Sequence, residues 1–360
     1  KNIALGLNTL RNNTTGNYNI ALGNNALLSN TTGNYNTALG IAALRQNTTG
    51  YKNVAIGYNV LKENSVGTYN IALGTSALLN NTTGFRNIAL GHYSLSNNTT
   101  GNHNIAQGYR ALTNNTTGYY NVALGSNALK NNTTGNYNTA IGPSALGRND
   151  TGYKNIALGR SALGFNTTGN YNVALGNNAL FSNTSGSNNI AQGNNALHYN
   201  TTGYGNIALG TNALLNNTTG FRNIALGQNT LGSNTTGYFN IALGSNALKN
   251  NTTGAYNTAQ GNNALDANTT GNHNAALGFG ALGANIAGAY NTGLGYNVQS
   301  GNFSGSVILG ASAAATANGQ MALGSVASPL GPVTVESLTS NKTLEVNLNG
   351  ALYKMMLYKA

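Results

Sequence analysis

The stretch GNYNIALGNNALLSNTTG, residues 16–33, recurs with small changes along most of the 360-residue chain. The repeat length is 17 residues: the glycine that closes ALG stands at Gly6 and at every seventeenth position to Gly295. The glycine that closes NTTG does the same from Gly16 to Gly305. Because no insertion or deletion interrupts this spacing, each repeat is one geometrical unit, as in solenoid proteins.

Some positions of the repeat are fixed, whereas others vary freely. The positions of Asn19 and Asn30 hold asparagine in every repeat. The position of Ala21 holds alanine until Gly293 replaces it, and the position of Leu27 holds leucine until Gln299 replaces it. The position of Asn24 also accepts isoleucine, tyrosine, histidine, proline and arginine, as a solvent-facing position does. Fixed and free positions therefore alternate within each repeat.

The repeat predicts an all-β fold. A glycine every eight or nine residues argues against helical repeats, while NIAL and NNALL, bounded by Gly and Asn, each predict a short strand. Two strands and two turns make one coil of a parallel β-solenoid. About eighteen coils, stacked at about 4.8 Å, would form a rod of roughly 85 Å.

The expected structural positions of a coil are Asn19, Ala21, Gly23, Leu27, Asn30 and Gly33. Stacked asparagines are predicted to form hydrogen-bonded ladders, and the glycines to mark turns or close approaches. Alternation along NYNIAL places Tyr18, Ile20 and Leu22 on one face and Asn19 and Ala21 on the other. The Ile20 and Leu22 positions tolerate change and the Ala21 position does not. We therefore expect the isoleucine and leucine to fill the coil and the alanine to face a second chain at close range.

Composition excludes several classes of protein. Only 6% of residues are charged, there are 49 glycines, and there is no cysteine, so neither disulfides nor thiolate metal sites can form. The net charge of +11 is spread over single residues, which fits solubility or weak attraction to anionic surfaces and lacks the clustered basic face of a nucleic-acid-binding protein. No apolar run is long enough for a membrane-spanning helix. The chain begins within a repeat, as expected of a fragment of a longer protein.

The repeats NVAIG at 53–57 and NVALG at 121–125 resemble the N-S-V-A-I-G motif of YadA-type trimeric autotransporter heads. Similar repeats occur in fibre proteins of phages and other viruses. The resemblance covers about residues 1–330 and implies a left-handed parallel β-roll in which three subunits pack side by side. The family's usual repeat is shorter than 17 residues; the spacing shortens after Gly295, where SVILG and QMALG are closer to the family form.

Three segments are expected. Residues 1–305 form the regular shaft, residues 306–330 carry shorter head-like repeats, and residues 331–360 form a small C-terminal β tip or trimerising cap. The last segment contains KTLEVNLNGALYKMMLY, whose alternation around Asn349 and Gly350 predicts a hairpin with its turn at those two residues.

Residues suited to catalysis are scattered. The three acids of the repeat region lie five or more coils apart, and His103 and His273 lie ten coils apart, about 48 Å along the rod. The sequence therefore predicts no enzyme, no metal site and no cofactor.

One set of residues could form a recognition surface. In four repeats an aromatic residue precedes a cation, a pattern suited to sugars and acidic groups. These residues are Tyr51, Lys52, Phe85, Arg86, Tyr153, Lys154, Phe221 and Arg222. The competing interpretation is that the rings simply stack along the rod.

The sequence favours a structural and adhesive fibre: a tail-fibre-like shaft that is extracellular, on a cell surface or on a virion, with itself as partner and a cell-surface glycan or receptor as a candidate ligand. The alternatives are a bacterial trimeric surface adhesin head, whose stalk and anchor would lie outside this sequence, and a self-assembling extracellular filament. The NTT triplets add formal N-glycosylation sites and a weaker comparison with ice-binding solenoids. Neither nucleic acid nor membrane insertion is expected for this stretch.

Overall fold

The computed structural model describes residues 1–324 and the backbone of two later strands, residues 343–348 and 351–356. Within these ranges the chain contains strands, turns and bends but no helix. Each coil of the repeat region carries one strand of three residues. The strands are β1 Ile3–Leu5, β2 Ile20–Leu22, β3 Thr37–Leu39, β4 Val54–Ile56, β5 Ile71–Leu73, β6 Ile88–Leu90, β7 Ile105–Gln107, β8 Val122–Leu124, β9 Thr139–Ile141, β10 Ile156–Leu158, β11 Val173–Leu175, β12 Ile190–Gln192, β13 Ile207–Leu209, β14 Ile224–Leu226, β15 Ile241–Leu243, β16 Thr258–Gln260, β17 Ala275–Leu277, β18 Thr292–Leu294, β19 Val307–Leu309, β20 Met321–Leu323, β21 Thr343–Leu348 and β22 Ala351–Met356.

Strands β1–β20 form one parallel sheet, in which each strand pairs with the strand of the next coil. The register follows the repeat, so that Ala157 lies opposite Ala140 on one side and Ala174 on the other. The parallel β-solenoid expected from the 17-residue spacing is therefore confirmed.

The second half of the coil differs from the expectation. Asn24–Ser29 is not a strand, because Asn25 and Leu27 have φ values of 58° and 50°, in the left-handed region. Two left-handed residues curl the backbone, yet the amides still bond to the next coil: the Leu27 N–H donates to the Ala43 carbonyl at 3.0 Å. The prediction of a second strand at NNALL was therefore wrong, although coil-to-coil hydrogen bonding continues through the segment.

The core is narrow and made of small residues. Ala21, Ala26 and Leu27 are fully buried within one chain, whereas Ile20 is 38% and Leu22 is 36% exposed. The alternation along the strand is as predicted, but its sense is reversed. The coil is so thin that only alanine fits between the strand and Leu27, so the alanine faces the interior and the larger residues face outward. The expectation that Ala21 contacts a second chain was wrong.

Both asparagine positions are buried and form continuous ladders. The Asn36 backbone N–H and side-chain amide donate to Asn19 Oδ1 at 2.9 and 3.2 Å, and the same amide donates to the Gly50 carbonyl at 2.9 Å. In the second ladder the Asn47 amide donates to Asn30 Oδ1 at 2.8 Å. These side chains replace water as hydrogen-bond partners of buried turn groups.

Two glycine positions allow coils to approach closely. Gly23 has φ of 132°, and a Cβ there would lie 2.6 Å from the Gly40 carbonyl oxygen. Gly33 lacks a positive φ, but a Cβ there would collide with the Gly50 carbonyl and with Asn30. A larger side chain at either position would separate adjacent coils.

The spacing shortens near the end of the described solenoid. From β18 to β19 the step is fifteen residues and from β19 to β20 it is fourteen, with parallel pairing preserved. Beyond it, β21 and β22 pair antiparallel, with Leu348 opposite Ala351. Asn349 and Gly350, predicted to form the turn, lie outside the described residues.

Candidate functional site

The predicted aromatic and cationic residues share one edge of the rod, where the residue at the Tyr18 position of each coil takes a left-handed conformation and points outward. Lys52 Nζ lies 3.4 Å from the Tyr69 hydroxyl and 5.1 Å from the centre of its ring, and the Tyr51 ring packs edge-on against Tyr69 at 5.3 Å. The hydrogen bond from Lys52 lowers the pKa of Tyr69. Tyr153 and Lys154 repeat this arrangement around Tyr171.

The two phenylalanine pairs also contact neighbouring coils. Phe85 packs edge-on against His103 at 5.2 Å, and the Arg86 guanidinium lies 3.3 Å from the His103 ring nitrogen. The Phe221 ring stacks between Tyr204 and Tyr238 at 5.0 and 4.9 Å.

Arg222 lies 5.4 Å from the centre of the Phe239 ring. The structure thus places all eight residues on one edge but separates the four pairs by two to four coils. Their cations and rings contact each other along the rod, which favours the stacking interpretation.

The histidines also join aromatic stacks. His103 stacks on Tyr120 at 4.6 Å, and His273 lies between Tyr256 and Tyr290 at 4.8 and 4.9 Å.

His198 packs against Phe181, and burial lowers its pKa. Burial raises the pKa of the Asp266 carboxyl. Among the described residues, no three metal-ligating side chains lie together.

The NTT triplets are held within the wall of the rod. Asn30 is fully buried, and its amide nitrogen, the atom that would carry a glycan, donates to Asn13 and Gly33. The Thr31 hydroxyl donates to the Thr48 carbonyl at 3.0 Å, which leaves only the Thr32 position as an exposed threonine row. The folded rod is therefore closed to N-glycosylation at these sites, and it presents one threonine row where a flat ice-binding face would need several.

A larger surface feature was missed by the sequence reasoning. The first and third residues of strands β1–β20 point outward and form a continuous, mostly apolar row, here called the strand stripe. It contains Ile, Val, Leu, Thr, Gln, Ala and Met but no charged residue. The sequence indicates the stripe through the varied residues at the Ile20 and Leu22 positions. These positions accept substitutions because they are exposed, not because the interior of the coil has spare room.

The fold defines the chain as a tandem-repeat parallel β-solenoid. No family model and no curated protein sequence matches it. In residues 1–324, no helix is available to cross a membrane.

Proposed function

We propose that this chain is the shaft of a homotrimeric, left-handed β-solenoid fibre that holds an adhesive surface away from a cell or virion. The observation that carries the proposal is the strand stripe, because soluble proteins rarely leave so long an apolar face open to water. The number three and the handedness rest on the resemblance to trimeric autotransporter heads and viral fibres.

The size of the stripe fits a permanent interface. Ile156 and Leu158 are 45% and 46% exposed, Ile20 and Leu22 are 38% and 36% exposed, and the corresponding pairs of β6, β8, β11, β13 and β14 are half-buried. Covering about 60 Å² on each of some 35 such side chains would bury on the order of 2,000 Å² per chain, the range of obligate assemblies. The proposed contact between subunits therefore uses the isoleucine and leucine face of the strands, opposite to the alanine face expected from the sequence.

The remaining segments fit this layout. Strands β21 and β22 would belong to a tip or trimerising cap, and an extracellular or virion location would follow from the fibre role. A surface adhesin head and a self-assembling filament remain alternatives, and each would use the stripe in the same way. The rod's acids and histidines are separate from one another, which supports a mechanical rather than an enzymatic role.

The test is the molar mass of the chain in solution, measured by light scattering. We expect about three times the single-chain mass of 36.9 kDa. The double variant Ile156→Lys/Leu158→Lys should weaken assembly or yield monomers, because it would bury unpaired cations. The matched control Asn177→Lys adds a cation at an exposed position off the stripe and should stay trimeric. A monomeric wild-type chain would refute the proposal.

A further inference from the structure

The second half of the coil contains an open cavity near the middle of the rod. The repeat position of Leu28 holds glycine in two successive coils, at Gly147 and Gly164. The missing side chains leave a cavity of about 420 Å³. We call it the glycine notch; its main lining residues are Lys130, Gly147, Arg148, Gly164, Phe165 and Phe181.

The glycine notch is positively charged. The Arg148 guanidinium lies 4.0 Å from the centre of the Phe165 ring and is exposed, and Lys130 lines the same cavity. Within residues 1–324 the one ion pair is Lys62 with Glu63, so both notch cations lack a carboxylate partner there. The nearby acid Asp150 accepts a hydrogen bond from the Thr133 hydroxyl.

The notch also offers apolar and neutral polar groups. Phe165 packs edge-on against Phe181 at 4.7 Å, and Phe181 stacks on His198 at 5.1 Å. The Ser144 and Ser161 side chains line the cavity and are half-buried. Rings, hydroxyls and unpaired cations around one concave site form the usual environment of a small polar ligand.

We propose that the glycine notch binds an acidic saccharide. The carboxylate would pair with the planar guanidinium of Arg148 and with Lys130. Arg148 covers one face of the Phe165 ring and His198 covers one face of the Phe181 ring. The carbon face of the sugar would lie against the remaining surface of these two rings, and its hydroxyls would bond to the two serines. This inference rests on the proposed adhesive function. It places the ligand site in the notch instead of on the aromatic and cationic edge, because the notch is a cavity in which two cations and two serines line the same space as the rings.

A second cavity provides an internal comparison. At Gly232 the same repeat position again lacks a side chain, and a cavity of about 240 Å³ opens beside Lys249. It has one cation and no aromatic lining residue. We expect it to bind an acidic saccharide far more weakly.

The test is calorimetric titration of the full chain with tetragalacturonate, with neutral galactotetraose as the control sugar. The variant Gly147→Leu/Gly164→Leu fills the notch with the residue that this position carries at Leu28, Leu79 and Leu215. It should fold, because a Cβ at Gly147 or Gly164 meets its nearest neighbours at 3.1 Å, among them the Phe181 ring, which can shift. Affinity should fall about tenfold or more, and Arg148→Gln, which keeps the cavity open, should cause a similar loss.

The matched control is Gly232→Leu, which fills the second cavity and should leave the affinity within about twofold. The inference is overturned if wild-type protein shows no millimolar binding, if galactotetraose binds equally well, or if the filled notch binds as tightly as the open one. The molar mass of the same samples separates this result from the fibre proposal. A trimer that does not bind the sugar would refute the notch alone, whereas a monomer that binds it would refute the fibre alone.

Discussion

Ala21 and its counterparts show how strongly a single side-chain size constrains this solenoid. They lie between the strand and the buried leucines, so in a coil that carries leucine at the Leu27 position any larger residue would push the two halves of the coil apart. Where the described solenoid departs from alanine, the change is paired: Gly293 lies opposite Ile308 in the next coil. A Cβ on Gly293 would lie 2.7 Å from Leu282 Cγ. Glycine thus replaces alanine at residue 293, where the interior of the coil has no room for a Cβ atom.

Removing one rung of the Asn19 ladder should destabilise the rod. Asn155 donates to Asn138 and to the Gly169 carbonyl and accepts two hydrogen bonds from Asn172. Asn155→Ala leaves buried groups unpaired, so we expect a loss of about 3 kcal/mol in the free energy of unfolding, measured by denaturant titration.

The exposed Asn177 supplies the control for that rung, since its side chain lies outside both ladders. Asn177→Ala should change stability by less than about 0.5 kcal/mol. Equal effects of the two substitutions would show that the ladder contributes no more than a surface amide.

Acid should weaken the rod through His198. Burial lowers the pKa of His198, so the unfolded chain takes up its proton first as the pH falls through about 6.5. The free energy of unfolding is therefore unaffected by this histidine above about pH 6.5. It decreases as the pH falls from that value to the lower pKa of His198 in the folded rod. His198→Phe, which keeps a ring beside Phe181, should show a smaller drop in thermal midpoint between pH 8 and pH 5.5. An identical drop in both proteins would contradict this assignment.

At the scale of elements, the strands show what the spacing can and cannot predict. The strict 17-residue period requires parallel, in-register strands, and that prediction is confirmed. The period does not say which face of a strand is inside, since alternation is the same either way. The period also does not predict the left-handed conformation of Leu27. Leucine rarely adopts that conformation, so its presence in the sequence does not indicate one.

The strand stripe carries three glutamines that would set the register of a trimer. Gln107, Gln192 and Gln260 replace leucine at intervals of five and four coils. In register, like glutamines meet in one layer. Because the intervals differ, any axial shift leaves at least two per chain facing apolar residues, at about 1–3 kcal/mol for each unpaired amide.

We expect Gln107→Leu/Gln192→Leu/Gln260→Leu to remain trimeric but to lose its unique register. The chain has no native cysteine. In both backgrounds, Leu158→Cys and Leu175→Cys are therefore placed in separate chains that are mixed before assembly, because residues 158 and 175 of one chain are paired on adjacent strands and would link to each other in any register. Mass spectrometry should find only like-to-like disulfides with the glutamines present, and additional 158–175 links without them. The same mixture in both proteins would rule out a register role.

For the whole molecule, the sequence predicts the scaffold better than the sites. The solenoid follows from residues that recur, such as Asn30 and Gly23. The glycine notch depends on two successive glycines, Gly147 and Gly164, at a repeat position that varies freely, and on cations whose closeness to them is not visible in the sequence. The aromatic and cationic edge was found from its pattern, but its packing against adjacent coils required coordinates.

The asparagine ladders also give the rod a direction. Between ladder side chains, each amide donates to the carbonyl oxygen of the lower-numbered asparagine, as Asn36 does to Asn19 and Asn47 does to Asn30. Other hydrogen bonds between coils run both ways along the rod: the Leu27 N–H donates to Ala43, and the Tyr35 N–H donates to Asn17. Within a ladder, however, the donor side always faces the low-numbered end and the acceptor side the high-numbered end. A second rod could therefore extend a ladder only head to tail.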